Sequence, residues 1–148
     1  MDERGGGTAS RATSYRLDAA VKARLERQAA AEGVTERLLL ERLVTEGLDG
    51  LHYPGIVYRG GPTGRRAALA VGPDVWEVVS ALRHTSGGDE ERVQVLAEQF
   101  ELHPRHIRTA LDFAADHRAD IDRQVAENEA AAERARQVAE RRADLMAS

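Results

Sequence analysis

Between Ala12 and Asp18 the chain alternates, placing Thr13, Tyr15 and Leu17 on one side of an extended backbone and Ser14 and Arg16 on the other. The pattern predicts one short strand, and the residues after it read as helical. Asp18 suits the cap of a helix on which Val21, Leu25, Gln28 and Ala29 recur, and Gly33 suits its end. Thr35 is the expected cap of a second helix carrying Leu38, Leu39, Leu40, Leu43 and Val44 and ending near Gly47 or Gly50. So wide an apolar surface calls for burial on two sides. A lone strand leaves its backbone groups unpaired, so its partner must be a strand from the second half of the chain or the same strand of another copy. Two copies paired antiparallel form a ribbon with Ser14 and Arg16 of each facing outward, and a two-stranded ribbon fits the DNA major groove.

Residues 11–50 resemble the ribbon-helix-helix family of DNA-binding dimers, the Arc/MetJ/CopG group. The residues that carry the resemblance are Thr13-Ser14-Tyr15-Arg16-Leu17-Asp18, then Gly33-Val34-Thr35, then the leucine-rich helix. The resemblance implies that Ser14 and Arg16 read base edges. It also implies that backbone amides around Thr35 and Glu36 hold a phosphate, as a helix N-terminus favours. Arg11 and Arg37 join that phosphate-contacting set. Arg37 stands where members of the family often carry a small hydroxyl residue, and Glu36, although suited to the helix dipole, opposes a phosphate.

The charge count bears on this expectation. The chain of 148 residues has 21 Lys+Arg against 25 Asp+Glu, which excludes a uniformly cationic nucleic-acid binder. Residues 1–50 are nearly balanced, with 8 basic and 9 acidic groups, so DNA contact must come from a few placed side chains. No Cys is present, which removes thiolate metal sites, disulfides and cysteine nucleophiles together. Residues 1–10 are Gly-rich and polar, a flexible arm without a signal-peptide core, and no apolar run reaches the roughly 20 residues that cross a bilayer. A cytoplasmic protein is expected. With six aromatic residues the core is small, which favours burial shared with a second copy.

From residue 51 to 118 the texture changes to a second small domain. Ile56-Val57-Tyr58-Arg59 is β-prone, Gly60-Gly61-Pro62-Thr63-Gly64 is a turn, and Arg65 to Val71 returns as a second strand. Pro73-Asp74 opens a helix with Trp76 as its largest core residue, and Thr85-Ser86-Gly87-Gly88 breaks it. Asp89 then caps Glu90 to Phe100, with Val93, Leu96, Ala97 and Phe100 inward. Pro104 starts another helix with Ile107, Ala110, Leu111 and Ala114 inward. The stretch Leu96 to Ile107 has helix-turn-helix form, from which Arg105, His106, Arg108 and Thr109 project.

Residues 51–122 are similar to a small helix-turn-helix-like domain found in antitoxins encoded beside PIN-like ribonuclease toxins. The similarity rests on Tyr58-Arg59-Gly60-Gly61-Pro62, Gly64-Arg65-Arg66, the Val75-Trp76-Glu77-Val78-Val79 helix and Ile107 to Ala115. Gly64-Arg65-Arg66-Ala67 stands where Gly-Thr-Arg-Ile is usual. Arg65, Arg66, Arg105, His106 and Arg108 form a candidate second DNA surface. Residues 119–148 lack Gly and Pro and are rich in Ala, Glu, Arg and Gln, so a long helix is expected. The resemblance makes this helix the site of toxin binding, with Arg134, Arg136, Arg141 and Arg142 available to pair with the clustered carboxylates of such a toxin.

Catalysis finds no support. His103 and His106 lack a third ligand at matching spacing, no Ser-centred elbow is present, and the Gly-rich turn lacks the ending of a phosphate loop. No catalytic residues, metal or cofactor are expected. The fold class expected is mainly α with short β: a ribbon-helix-helix dimer, a hairpin plus helix-turn-helix-like domain, and a long C-terminal helix. The function expected is a repressor acting as the antitoxin of a toxin-antitoxin pair, with double-stranded DNA, a second copy and the toxin as partners. The alternatives are a stand-alone regulator whose second domain oligomerises or senses an effector, and a module that binds protein only.

Overall fold

The structure, a computed structural model, describes residues 10–61 and 64–148. It is mainly helical, with six helices and one two-stranded antiparallel sheet among the described residues. The chain divides into two compact units, with the boundary between Val44 and Thr45.

The first unit is a helical hairpin. Helix α1 (Ala19–Glu32) starts at Asp18, whose Oδ1 accepts from Ala20 N at 2.9 Å and Val21 N at 3.3 Å. It ends at Gly33, whose φ of 67° is the left-handed conformation that closes helices and costs glycine nothing. Helix α2 (Glu36–His52) begins at Thr35, whose Oγ1 accepts from Leu38 N at 3.1 Å. The unit's interior is Leu25, Ala29 and Leu39, with Val34 packed against them.

Residues 10–18 carry no regular secondary structure, and the expected strand over 12–18 is not formed. The sheet contains two other strands, so the segment has no neighbour to accept or donate ladder hydrogen bonds. Helix α2 also runs past Gly47 and Gly50, where its end was expected. The last turn is held at its far end by Tyr53, whose N–H donates to Asp49 O at 2.8 Å and whose ring is buried. Pro54 and Gly55, the latter at φ 102°, then turn the chain.

In the second unit, strands β1 (Ile56–Gly61) and β2 (Gly64–Leu69) pair from Ile56↔Leu69 to Gly61↔Gly64. β2 stops at Leu69, short of Val71, because Leu69 N donates to Pro73 O and Gly72 N to Leu69 O, which folds the chain over. Helix α3 (Val75–Arg83) starts in a reciprocal cap: the Asp74 side chain accepts from the backbone at Glu77, and Asp74 N donates to Glu77 Oε2 at 2.8 Å. Gly88, rather than Asp89, caps α4 (Asp89–Phe100), and Asp89, Glu90 and Glu91 occupy its first turn, where their charge meets the positive end of the helix dipole. Glu101 at φ 55°, Leu102 and His103 make the tight turn into α5 (Pro104–Asp116). A break at His117, whose ring stacks on Phe113 at 3.9 Å, precedes α6 (Arg118–Ala147).

The core of this unit gathers Leu69, Val75, Val78, Val93, Leu96, Ile107, Ala110, Phe113, Ile121 and Val125, and the first turns of α6 belong to it. Trp76, expected as the main core residue, is only partly buried, because it lies at the start of α3 where its Nε1 donates to Asp74 Oδ2 at 3.1 Å. Phe113 takes the central aromatic place instead, edge-on to Tyr53 and Tyr58. No described helix is long and apolar enough to cross a membrane.

Candidate nucleic-acid interface

Ser14 and Arg16 lie on the segment before α1 with both side chains exposed, and Arg11 is exposed a few residues upstream. The structure brings Arg16 close to the start of α2. Tyr15, Arg16, Leu17, Lys22, Leu25, Glu36, Arg37 and Leu40 line one open cavity of about 460 Å³. The candidate base-reading residue and two of the candidate phosphate-contacting residues therefore share a surface, created by the short Gly33-Val34-Thr35 connection that folds α2 back along α1.

At the N-terminus of α2 the N–H groups of Glu36 and Arg37 have no intrahelical acceptor, because the residues four before them precede the helix, while Leu38 N is taken by the Thr35 hydroxyl. Such groups with the helix dipole behind them favour an anion. The Glu36 carboxylate is drawn aside by Lys22, whose Nζ donates to it; Lys22 also lies 3.5 Å from Glu26 Oε1. The hydrogen bond to Glu36, reinforced by the charges of Glu36 and Glu26, raises the Lys22 pKa above its ordinary value. Arg37 Nε donates to Glu41 Oε1 at 3.1 Å along the same helix, which turns its guanidinium from the helix start. Lys22 is absent from the residues singled out by sequence. Its pairing with Glu36 spans 14 positions, and no local pattern encodes it; being the chain's sole lysine was its one mark.

In the second unit three of the four candidate DNA-contacting arginines, Arg65, Arg66 and Arg108, are held by carboxylates. Arg65 grips Glu46, with Nη2 to Oε2 at 2.9 Å, and also donates to Tyr58 O. Arg66 Nε lies 3.3 Å from Asp74 Oδ2, and Arg108 Nη2 is 2.6 Å from Glu90 Oε2. Arg105 is exposed, with Nε 3.5 Å from His106 Nε2. The helix-turn-helix form is present in α4 and α5, but Arg108 on it faces the acidic first turn of α4.

His103 caps α5, its Nδ1 accepting from Arg105 N at 3.1 Å. Among the described residues no group of three or more His, Cys, Asp or Glu is placed to hold a metal ion. A second polar cluster joins the end of α2 to β1 and α5. Tyr53 Oη donates to Asp116, and Tyr58 Oη donates to Asp49 Oδ2 at 2.6 Å. Burial first, and then the hydrogen bond to the Asp49 carboxylate, push the Tyr58 hydroxyl pKa well above its ordinary value. Arg134, Arg136, Arg141 and Arg142 all lie on the exposed length of α6, and Arg136 is paired with Glu133. No family model, curated protein or solved structure matches the chain.

Proposed function

We propose that the protein is a homodimeric, sequence-specific DNA-binding repressor of the ribbon-helix-helix kind, acting in the cytoplasm as the antitoxin of a toxin-antitoxin pair and without enzymatic activity. The observation that carries the proposal is the first unit's unmet demand for a partner. Its interior holds two leucines and an alanine, while Tyr15, Leu17, Val21, Leu38, Leu40, Leu43 and Val44 remain exposed around it. An exposed set of that size on a small unit marks a protein interface.

A second copy meets the demand in full. Pairing of residues 12–17 between copies gives each backbone a ladder neighbour and puts Tyr15 and Leu17 on the helices, leaving Ser14 and Arg16 to face the major groove. Amides at Glu36 and Arg37 then hold a phosphate on either side. The pairing of Arg65, Arg66 and Arg108 with carboxylates favours confining DNA contact to the first unit, and the exposed length of α6 serves the partner toxin.

Sedimentation and a DNA mobility shift on the protein's own promoter test this together. The expected result is a dimer whose binding weakens steeply with salt, as release of counterions from phosphates requires. A monomer at micromolar concentration, or a salt-insensitive association, overturns it.

A further inference from the structure

Residues 105–148 contain neither glycine nor proline, yet α5 and α6 are two helices. The break falls on His117, at φ −120° and ψ 34°, while bonds of helical spacing continue on either side. His117 N donates to Phe113 O at 3.0 Å, and Ile121 N donates to His117 O at 3.1 Å. With no breaker in the local sequence, the cause lies in what the His117 side chain touches.

The imidazole stands between two acceptors. Its Nδ1 is 2.9 Å from Phe113 O, and a carbonyl only accepts, so Nδ1 donates. Its Nε2 is 3.8 Å from Asp49 Oδ1 on α2. A neutral imidazole carries one N–H, so with Nδ1 donating, the lone pair of Nε2 is turned on a carboxylate. Only the imidazolium offers a proton to both neighbours. Stacking on Phe113 at 3.9 Å fixes the plane of the ring. The His117 and Asp49 side chains are 28% and 19% exposed, which leaves little solvent to screen the pair.

The surroundings favour a positive charge there. Asp49 also accepts from Tyr58 of β1, Tyr53 donates to Asp116 of α5, and Glu46 of α2 and Asp120 of α6 act on Tyr58 with negative charge. Of the neighbouring basic groups, Arg65 is held on Glu46, Arg118 pairs with Asp122, and the His52 ring stands edge-on to Tyr53.

We propose that His117 is a proton-operated latch: as imidazolium it ties the last turn of α2, through Asp49, to the break between α5 and α6, and as neutral imidazole it lets that turn open more often. Histidine is the side chain whose charge changes between about pH 5 and 8, so the latch tightens in mild acid and slackens above neutral pH. The change is local, because the Tyr58–Asp49 bond and the buried Tyr53 ring serve both states. Every group of the latch belongs to the second unit, so it operates whether or not the chain binds DNA or a toxin.

Native-state hydrogen exchange on the full chain tests this at the Tyr53 amide, whose bond to Asp49 O closes the last turn of α2. After correction for the pH dependence of intrinsic exchange, protection at about pH 5.5 should exceed that at about pH 7.5 by about threefold or more. Asp49→Asn, and His117→Phe, which keeps a ring on Phe113, should each bring the ratio to about one. Equal protection of the native chain at both pH values, or an undiminished ratio in Asp49→Asn, overturns the proposal. A second measurement needs no variant: at about pH 8 the ring nitrogen-15 shifts of His117 should place its single proton on Nδ1. A proton on Nε2 means that the neutral ring already serves Asp49, and it overturns the latch.

Discussion

Lys22 Nζ donates to the Glu36 carboxylate across the α1–α2 hairpin, so the one acidic side chain at the start of α2 is held by a cation from the facing helix. Without that contact Glu36 competes with any anion for the amides beside it. Lys22→Met is expected to weaken promoter binding severalfold, and Glu36→Gln in that background to restore most of the loss, both read by fluorescence anisotropy. If Lys22→Met binds as the native chain does, Glu36 is not near the phosphate.

On the proposed two-fold ribbon, Arg16 would read one base in each half-site. Arg16→Ala should remove about 1–3 kcal/mol of discrimination at a single base position, the worth of one bidentate contact. Affinities across single-base variants of the operator measure this. Equal weakening on every sequence makes Arg16 a phosphate contact instead.

The cap on α2 has a separate cost. Thr35→Ala removes the acceptor for Leu38 N and should destabilise the first unit by about 1 kcal/mol, read as a lower chemical-denaturation midpoint. Thr35→Ser, which keeps the hydroxyl, should recover it.

Tyr58 gives the second unit a pH dependence. Its folded pKa is raised above the unfolded value, so the folded state holds the phenolic proton more tightly. The stabilisation is complete below the unfolded value of about 10 and is lost as pH rises beyond it toward the folded pKa. Thermal unfolding should therefore be insensitive to this group from neutral pH to about 10 and fall above it, and Tyr58→Phe should flatten that fall. An identical alkaline decline in the Phe variant assigns it elsewhere.

Where α6 is cut decides what is lost. Truncation after His117 removes Ile121 and Val125, both buried in the second unit's core and each worth about 1.5–3 kcal/mol, and should unfold that unit. Truncation after Ala130 keeps both and should leave the melting temperature of the second unit nearly unchanged while abolishing partner binding. A large drop in melting temperature for the Ala130 truncation refutes this.

Local signals carried most of the helical architecture. Asp18, Gly33, Thr35 and Pro104 mark helix ends through hydrogen bonds and backbone angles made within a few residues, and they do so in the structure. The end of α2 was not legible, because Gly47 and Gly50 weaken a helix locally while Tyr53, anchored against Phe113 far along the chain, sustains it. The same holds for Trp76 and Phe113: composition singles out the tryptophan, but only the packing of α5 against the sheet puts phenylalanine at the centre. At the candidate interface, alternation singled out Arg16, but the strand that alternation predicts is not formed. The Lys22–Glu36 contact and the carboxylates holding Arg65, Arg66 and Arg108 depend on tertiary placement, which no periodicity records.

Trp76 is the sole tryptophan of the chain, and its indole, half-buried with Nε1 on Asp74, belongs wholly to the second unit. Its emission colour consequently follows the melting of one unit and is blind to the other, whereas far-ultraviolet ellipticity sums the helices of both. If the proposed dimer parts on dilution, the two signals recorded on one sample should separate: ellipticity falls with loss of the second copy while the tryptophan spectrum stays fixed. The molecule thus carries a built-in optical label that distinguishes dissociation from unfolding.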